Sequence, residues 1–164
     1  MGVMEDNLTP GRESWRDYLR DDPDTISDIL AHTHRIAVIG IKTAEAGGPA
    51  FTTPAYLQRH GFEIIPVPVY FADVTEILGV PVHRTLATIN PPADLIEIFR
   101  RSEAIPTHLE ELLAAKPRVV WMQLGIRNDA VAETLARAGI RVIQDKCMQV
   151  EIAHRRVRAV ARDG

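Results

Sequence analysis

The residues with chemical potential fall in a few short segments. The first runs Gly40-Ile41-Lys42-Thr43 and continues, past several alanines, as Gly47-Gly48-Pro49-Ala50-Phe51-Thr52. Glycines and small residues leave backbone N–H groups approachable, and Lys42 adds a cation. Both favour an anion, and a phosphate above all if a helix starts there. The second segment is Phe99-Arg100-Arg101. A guanidinium fork pairs two phosphate oxygens at once. The third set is Gln123-Leu124-Gly125 together with Asp145-Lys146-Cys147. Gly125 permits a close backbone approach or simply a turn. Lys146 beside Cys147 could lower the thiol's pKa; a small buried cysteine is the plainer alternative.

Other chemistries find no support. The six histidines lie at positions 32, 34, 60, 83, 108 and 154. None has a partner at metal-ligand spacing. There is no Gly-x-Ser-x-Gly, and no paired-carboxylate site stands out. The residues give anion contacts but no catalytic set and no metal set. The first loop is not a dinucleotide fingerprint, because Lys42 stands where a glycine is required. It is not a Walker loop, since no Gly-Lys-Ser/Thr follows. An acidic residue to hold a ribose hydroxyl is missing where Val67-Pro68-Val69 closes a strand. The pattern points to a phosphorylated ligand other than NAD.

These segments need elements to hold them. Residues 36–39 form an unbroken apolar run, suited to a strand buried on both faces. Thr53-Pro54 reads as an N-cap and first helical position, giving a helix over 54–60 stopped by Gly61. Further strands are expected at 62–67, 94–99, 118–123 and 140–144. Residues 76–79 read as a helical turn and 80–84 as an edge strand. Helices are expected over 23–32, capped by Asp22; after Ser102, carrying Leu109, Leu112 and Leu113; after Asn128, stopped by Gly139; and over 148–160. A short helix fits 13–19.

Strands alternating with helices imply an α/β fold: a three-layer, doubly wound parallel sheet of about five to six strands in a single domain. The first strand belongs in the middle, with 62–67 on one side and 94–99 on the other. Ligands of such sheets sit where the strand order reverses, at the C-terminal ends. The loops after Ile39 and Phe99 should then face each other. Residues 1–22 form a partly helical N-terminal extension, and 23–160 the domain.

Bulk properties narrow the partners. A length of 164 residues suits one domain. A net charge of −3 argues against a nucleic-acid binder. The single cysteine excludes an internal disulfide and fits a reducing compartment. No apolar run approaches the roughly 20 residues of a membrane span, and no leader pattern opens the chain. A cytoplasmic protein without membrane contact is the expectation.

Taken together the motifs resemble a known family. The matching pieces are Arg35-Ile-Ala-Val-Ile-Gly40, Tyr56-Leu57 with His60-Gly61, Pro66-Val67, Ile77-Leu78-Gly79, Asp94-Leu-Ile-Glu-Ile-Phe-Arg-Arg101 with Glu103, Trp121-Met-Gln-Leu-Gly-Ile126 and Asp145-Lys-Cys147. In this order they resemble the small bacterial CoA-binding proteins. These are single Rossmann-like domains related to the CoA-binding domain of succinyl-CoA synthetase. The resemblance implies coenzyme A across the C-terminal rim, its diphosphate at the loop after Gly40 and its adenosine near the end of the second strand. It implies contacts from Gly40, Ile41, Lys42, Thr43, Pro49, Phe51, Thr52, Val67, Pro68, Phe99, Arg100, Arg101, Gln123 and Gly125. Such a family usually has Arg-Pro-Ser-Tyr where this chain has Gly48-Pro49-Ala50-Phe51, and Pro-Val-Asn-Pro where it has Pro66-Val67-Pro68-Val69. The leading expectation is a CoA or acyl-CoA binding protein without its own catalysis. The alternatives are a subunit or remnant of an acyl-CoA ligase or transferase, and a nucleotide-sensing partner that takes NAD(P) or ADP. Assembly into a homo-oligomer is left open.

Overall fold

The computed structural model describes residues 14–155. Strands β1 (Arg35–Ile39), β2 (Glu63–Val67), β5 (Leu95–Ile98), β6 (Val119–Met122) and β7 (Arg141–Ile143) form one sheet. Its order is β2-β1-β5-β6-β7, and every pair is parallel. Between β2 and β5, β3 (Glu76–Ile77) and β4 (Val80–Pro81) make a small antiparallel hairpin. The helices are α1 (Pro23–Ala31), α2 (Pro49–Arg59), α3 (Leu109–Ala115), α4 (Asp129–Arg137) and α5 (Met148–Arg155).

Alternation along the strands builds the two apolar layers. Ile36, Val38, Leu95, Val119 and Trp121 face one side and meet Ile29 and Leu30 of α1, Leu57 of α2, and Met148 and Ile152 of α5. Ala37, Ile39, Ile96, Ile98, Val120 and Met122 face the other and meet Leu112 of α3 and Val131 and Leu135 of α4. Because both faces are covered, the strands read as continuous apolar runs. The crossover after β1 lies on the first face and that after β5 on the second. The strand order therefore reverses between β1 and β5, as the sequence led us to expect.

Four local expectations are corrected. Helix α2 begins at Pro49 rather than Pro54, with Gly48 at its N-cap. Pro49 sits where proline suits a helix start. Pro54 is inside the helix, where it lacks the N–H that would reach Ala50. The Ala50 carbonyl instead accepts the Lys42 N–H at 3.1 Å. The loop thus supplies the donor that the proline cannot. Residues 76–79 are not a helical turn. Leu78 (φ 55°) and Gly79 (φ 73°) form the two-residue turn of the β3–β4 hairpin, in the geometry that matches strand twist. The expected edge strand at 80–84 is reduced to Val80–Pro81, which pairs with β3 rather than with the main sheet. Ser102 caps no helix: a 3-10 turn, Ser102–His108, precedes α3, and Pro106 lies within it. Ser102 Oγ instead accepts the Arg127 N–H at 3.0 Å.

At the N-terminus, Ser14 closes a capping box on the 3-10 turn Trp15–Leu19. The Arg137 guanidinium of α4 lies 4.5 Å from the Trp15 ring, and Leu19 packs against the α3–α4 layer. The expected helix over 148–160 is present over Met148–Arg155, and its remainder lies outside the described residues. Likewise Glu13 of the expected N-terminal helix lies outside them.

Candidate binding site

The rim is assembled around Gly40. Its N–H donates to the Val67 carbonyl at 2.9 Å, and the Phe99 N–H donates to Ile39 at 2.9 Å. Gly40 has φ +82°, and a Cβ there would lie 2.1 Å from the Phe99 carbonyl oxygen. Glycine is thus required twice, by dihedral and by contact. The loops after β1 and β5 do face each other, as β1–β5 pairing demands.

From Gly40 the chain enters the loop. Ile41 is buried in the α1–α2–α5 layer, so only its backbone is available to a ligand. Lys42 is exposed. Thr43 Oγ1 accepts the Ala46 N–H at 3.3 Å and its carbonyl accepts the Gly47 N–H at 3.1 Å, which closes a turn. Gly47 (φ 63°) and Gly48 (φ 75°) then swing the chain into α2. No side chain caps that helix end. Pro49 and Thr52 are exposed and Phe51 is half-buried. An uncapped N-terminus in a small-residue loop leaves N–H dipoles to meet an anion.

The two arginines differ. Arg100 is half-buried; its Nη1 donates to the Tyr70 hydroxyl at 3.3 Å, and its guanidinium lies 5.7 Å from the Tyr70 ring. Its Nε has no partner among the described residues. Arg101 is exposed and supplies the N-cap backbone of the following 3-10 turn. Phe99 is half-buried against the α1–α2–α5 layer.

Further along the rim, Gln123 is 4% exposed, and its Oε1 accepts the Met148 N–H at 3.4 Å. That side chain serves the start of α5. Gly125 (φ +82°) donates its N–H to Asp145 Oδ1 at 2.6 Å, and a Cβ there would meet nothing within 4 Å. Its glycine character answers to the dihedral alone. Cys147 is half-buried, with its carbonyl accepting the Glu151 N–H of α5. The Trp121 indole donates to the Lys146 carbonyl at 2.8 Å and fixes this corner from below.

Sequence reasoning missed a cleft beside this rim. It has a volume of about 410 Å³ and is lined by Ile39, Val67, Pro68, Val69, Ala72, Arg84, His108 and Glu111. Val67 and Pro68 were expected there; Arg84, His108 and Glu111 come from segments with no motif. Arg84 Nη2 donates to the carbonyls of Phe71 (3.1 Å), Ala72 (3.2 Å) and Val74 (2.6 Å). It thereby fixes the loop in which Phe71 has φ 63°. Glu111 Oε1 accepts the Leu86 N–H at 2.6 Å, and its Oε2 lies 3.7 Å from His108 Nδ1. Burial, and then the Arg100 charge, hold the His108 imidazole below its ordinary pKa, against the pull of Glu111. The ring is neutral near pH 7.

A second buried group lies below the rim. Glu97 of β5 is 0% exposed, between Val38 and Trp121 in the sheet register. Neither carboxyl oxygen has a hydrogen-bond partner among the described residues. Burial pushes its pKa up to about 8, so it is protonated at neutral pH.

Two other hollows fit a phosphate ligand less well. One of about 370 Å³ beside α1 is lined by Asp17, Asp22, Asp24 and Asp28, with Arg20 and Arg141. One of about 440 Å³ along α3 has no cationic residue in its lining. Among the described residues, the rim alone combines cations, free helix dipoles and the strand-order reversal.

Residues 34–153 match the model of a family described as the CoA binding domain. The chain belongs to that family. A relative in it is the uncharacterised protein YneT of Bacillus subtilis (strain 168), 36% identical over 125 residues, or 76% of this chain and 90% of YneT. Among solved structures, cell-free ID.343 from Thermus thermophilus superposes with a TM-score of 0.75 at 33% identity, over 83% of this chain and 98% of that one. A dinucleotide-forming acetyl-coenzyme A synthetase 1 from Ca. Korarchaeum cryptofilum, solved with phosphate and ADP, superposes with a TM-score of 0.58 at 13% identity. That match covers 70% of this chain and 26% of the synthetase, and it speaks for the fold alone. The expected resemblance and the Rossmann-like α/β fold are thereby established. Among the described residues no helix is long and apolar enough to cross a membrane.

Proposed function

We propose that this protein binds coenzyme A, or an acyl-CoA, across the C-terminal rim of its sheet and has no catalysis of its own. The observation that carries this reading is the junction at Gly40. There the β1 and β5 loops meet with no room for a side chain, beside an α2 N-terminus that no side chain caps. A diphosphate lies against those N–H groups. Arg100, turned to Tyr70 on the opposite lip, supplies the charge-assisted contact. Lys42 contributes from the exposed side of the loop. The adenosine end lies toward Val67 and Pro68. Family membership supports the ligand class. The alternative of a ligase subunit has no observation of its own, because the synthetase likeness extends to the fold only.

The chain as isolated from a native preparation would be analysed by mass spectrometry for a copurifying ligand. Titration calorimetry with CoA and NAD follows. CoA should bind more tightly than NAD, because the end of β2 has no carboxylate for a ribose 2′-hydroxyl. Tighter binding of NAD would overturn this reading.

A further inference from the structure

Laying CoA along the rim leaves one rim group without a task. His108 lines the cleft with its side chain 14% exposed. Its Nδ1 is turned to Glu111, while its Nε2 has no partner among the described residues. Buried polar atoms are nearly always satisfied, so an unpartnered Nε2 on a side chain that lines the cleft needs a reason. A ligand group that accepts from it is such a reason.

The charges set what that group is. Arg84 and Glu111 line the cleft with His108, and Arg100 is hydrogen-bonded to Tyr70. Of these, Arg100 and Glu111 act on the imidazole. With His108 neutral, the lining Arg84 and Glu111 cancel in charge, Arg84 is already committed to loop carbonyls, and Arg100 serves the diphosphate. That is weak for a phosphate dianion. A protonated His108 would add a positive charge and a donor at Nε2. An arriving dianion offsets the Arg100 charge that disfavours imidazolium, so binding and protonation favour each other.

We propose that the cleft seats the 3′-phosphorylated ribose end of CoA, and that His108 takes up a proton from solvent to contact that phosphate. The proposal rests on the CoA reading above. No covalent bond changes: one proton moves from solvent to the imidazole, and the phosphate stays dianionic. Affinity then falls as pH rises through the bound-state pKa of His108.

The test compares CoA with dephospho-CoA, which differ only in the 3′-phosphate. Calorimetry is run between pH 7.0 and 8.5, because a phosphate monoester is largely dianionic above its second pKa of about 6. Two buffers of different ionisation enthalpy count the protons taken up. The CoA dissociation constant should rise about three- to tenfold across that range, as expected for up to one linked proton. The constant for dephospho-CoA should stay within about twofold, since it lacks the linked group. His108→Gln should bind CoA more weakly and with no pH slope. In the wild-type protein, the His108 ring signal in NMR should titrate at higher pH with CoA bound than without. If CoA binds with no proton uptake and His108→Gln matches the wild type, the proposal is overturned and the CoA reading stands. If CoA does not bind at any pH, both fall. Should His108→Gln fail to fold by circular dichroism, the wild-type ring signal decides: a midpoint unmoved by CoA overturns the proposal.

Discussion

Gly40 and Glu97 are two residues whose surroundings dictate how they must behave. Gly40→Ala would place a Cβ 2.1 Å from the Phe99 carbonyl at φ +82°. The left-handed backbone alone costs an L-residue about 1–2 kcal/mol, and the clash pries β1 from β5 at their ends. A loss of at least about 2 kcal/mol is expected in urea unfolding, together with loss of CoA binding. Glu97 is buried with a pKa near 8, against an ordinary 4.5. The folded state therefore holds this proton to higher pH than the unfolded state does. Its contribution is fully present below about pH 4.5 and is lost as pH rises toward 8. The slope is at most about 1.4 kcal/mol per pH unit. Glu97→Gln should flatten the fall in stability between pH 5 and 8, measured as the urea midpoint at each pH. An equally steep fall in the variant would show that another group is responsible.

At the scale of elements, the segment between β2 and β5 is held by side chains more than by pairing. Arg84 gathers the carbonyls of residues 71, 72 and 74, and Gln58 of α2 donates to the Leu78 carbonyl at 2.9 Å. Arg84→Ala removes a charge-assisted set of hydrogen bonds. Exposure of the guanidinium limits the cost to about 1 kcal/mol of global stability. The local effect should be larger. Amide exchange over residues 70–76 should accelerate at least about tenfold while the five-stranded sheet keeps its protection. The opposite pattern, sheet exchange rising with the loop unchanged, would show that Arg84 serves the core instead.

For the molecule as a whole, a chain of net charge −3 is proposed to hold a polyanion. This works only if the cations are local and the anionic surface is elsewhere. The described acidic cluster lies beside α1, around Asp17, Asp22, Asp24 and Asp28. At the rim, Arg100→Ala should weaken CoA binding roughly ten- to a hundredfold, the value of one charge-assisted contact. Arg101→Ala should change it by no more than about twofold, since an exposed side chain gains little from a screened ion pair. Raising salt from 50 to 500 mM should weaken CoA binding, because a shorter Debye length screens the exposed rim charges. Calorimetry of both variants, each at both salt concentrations, measures all of this. Equal effects of the two arginines would mean that the half-buried site is not the phosphate contact.

The sequence by itself determined the sheet. Apolar runs such as Ile36-Ala37-Val38-Ile39 are buried on both faces, and only a covered parallel sheet satisfies them. Local caps were also legible: Asp22 accepts the Thr25 N–H and Asn128 accepts the Val131 N–H. These depend on neighbours in sequence, so sequence suffices. The order β2-β1-β5 followed from the doubly wound pattern, and the structure adds β6 and β7 outward from β5. Tertiary structure decided the rest. Pro54 looked like a helix start because its missing N–H is harmless there. Inside α2 the vacated Ala50 carbonyl is met by Lys42, from outside the helix. Ser102 looked like a cap, yet its hydroxyl serves Arg127 across the chain. The cleft with Arg84, His108 and Glu111 has no motif, because its walls come from separate segments of chain. No periodicity encodes such a meeting. The folded packing alone buries His108 beside Glu111 and Arg100, and Glu97 beneath the rim with no partner among the described residues.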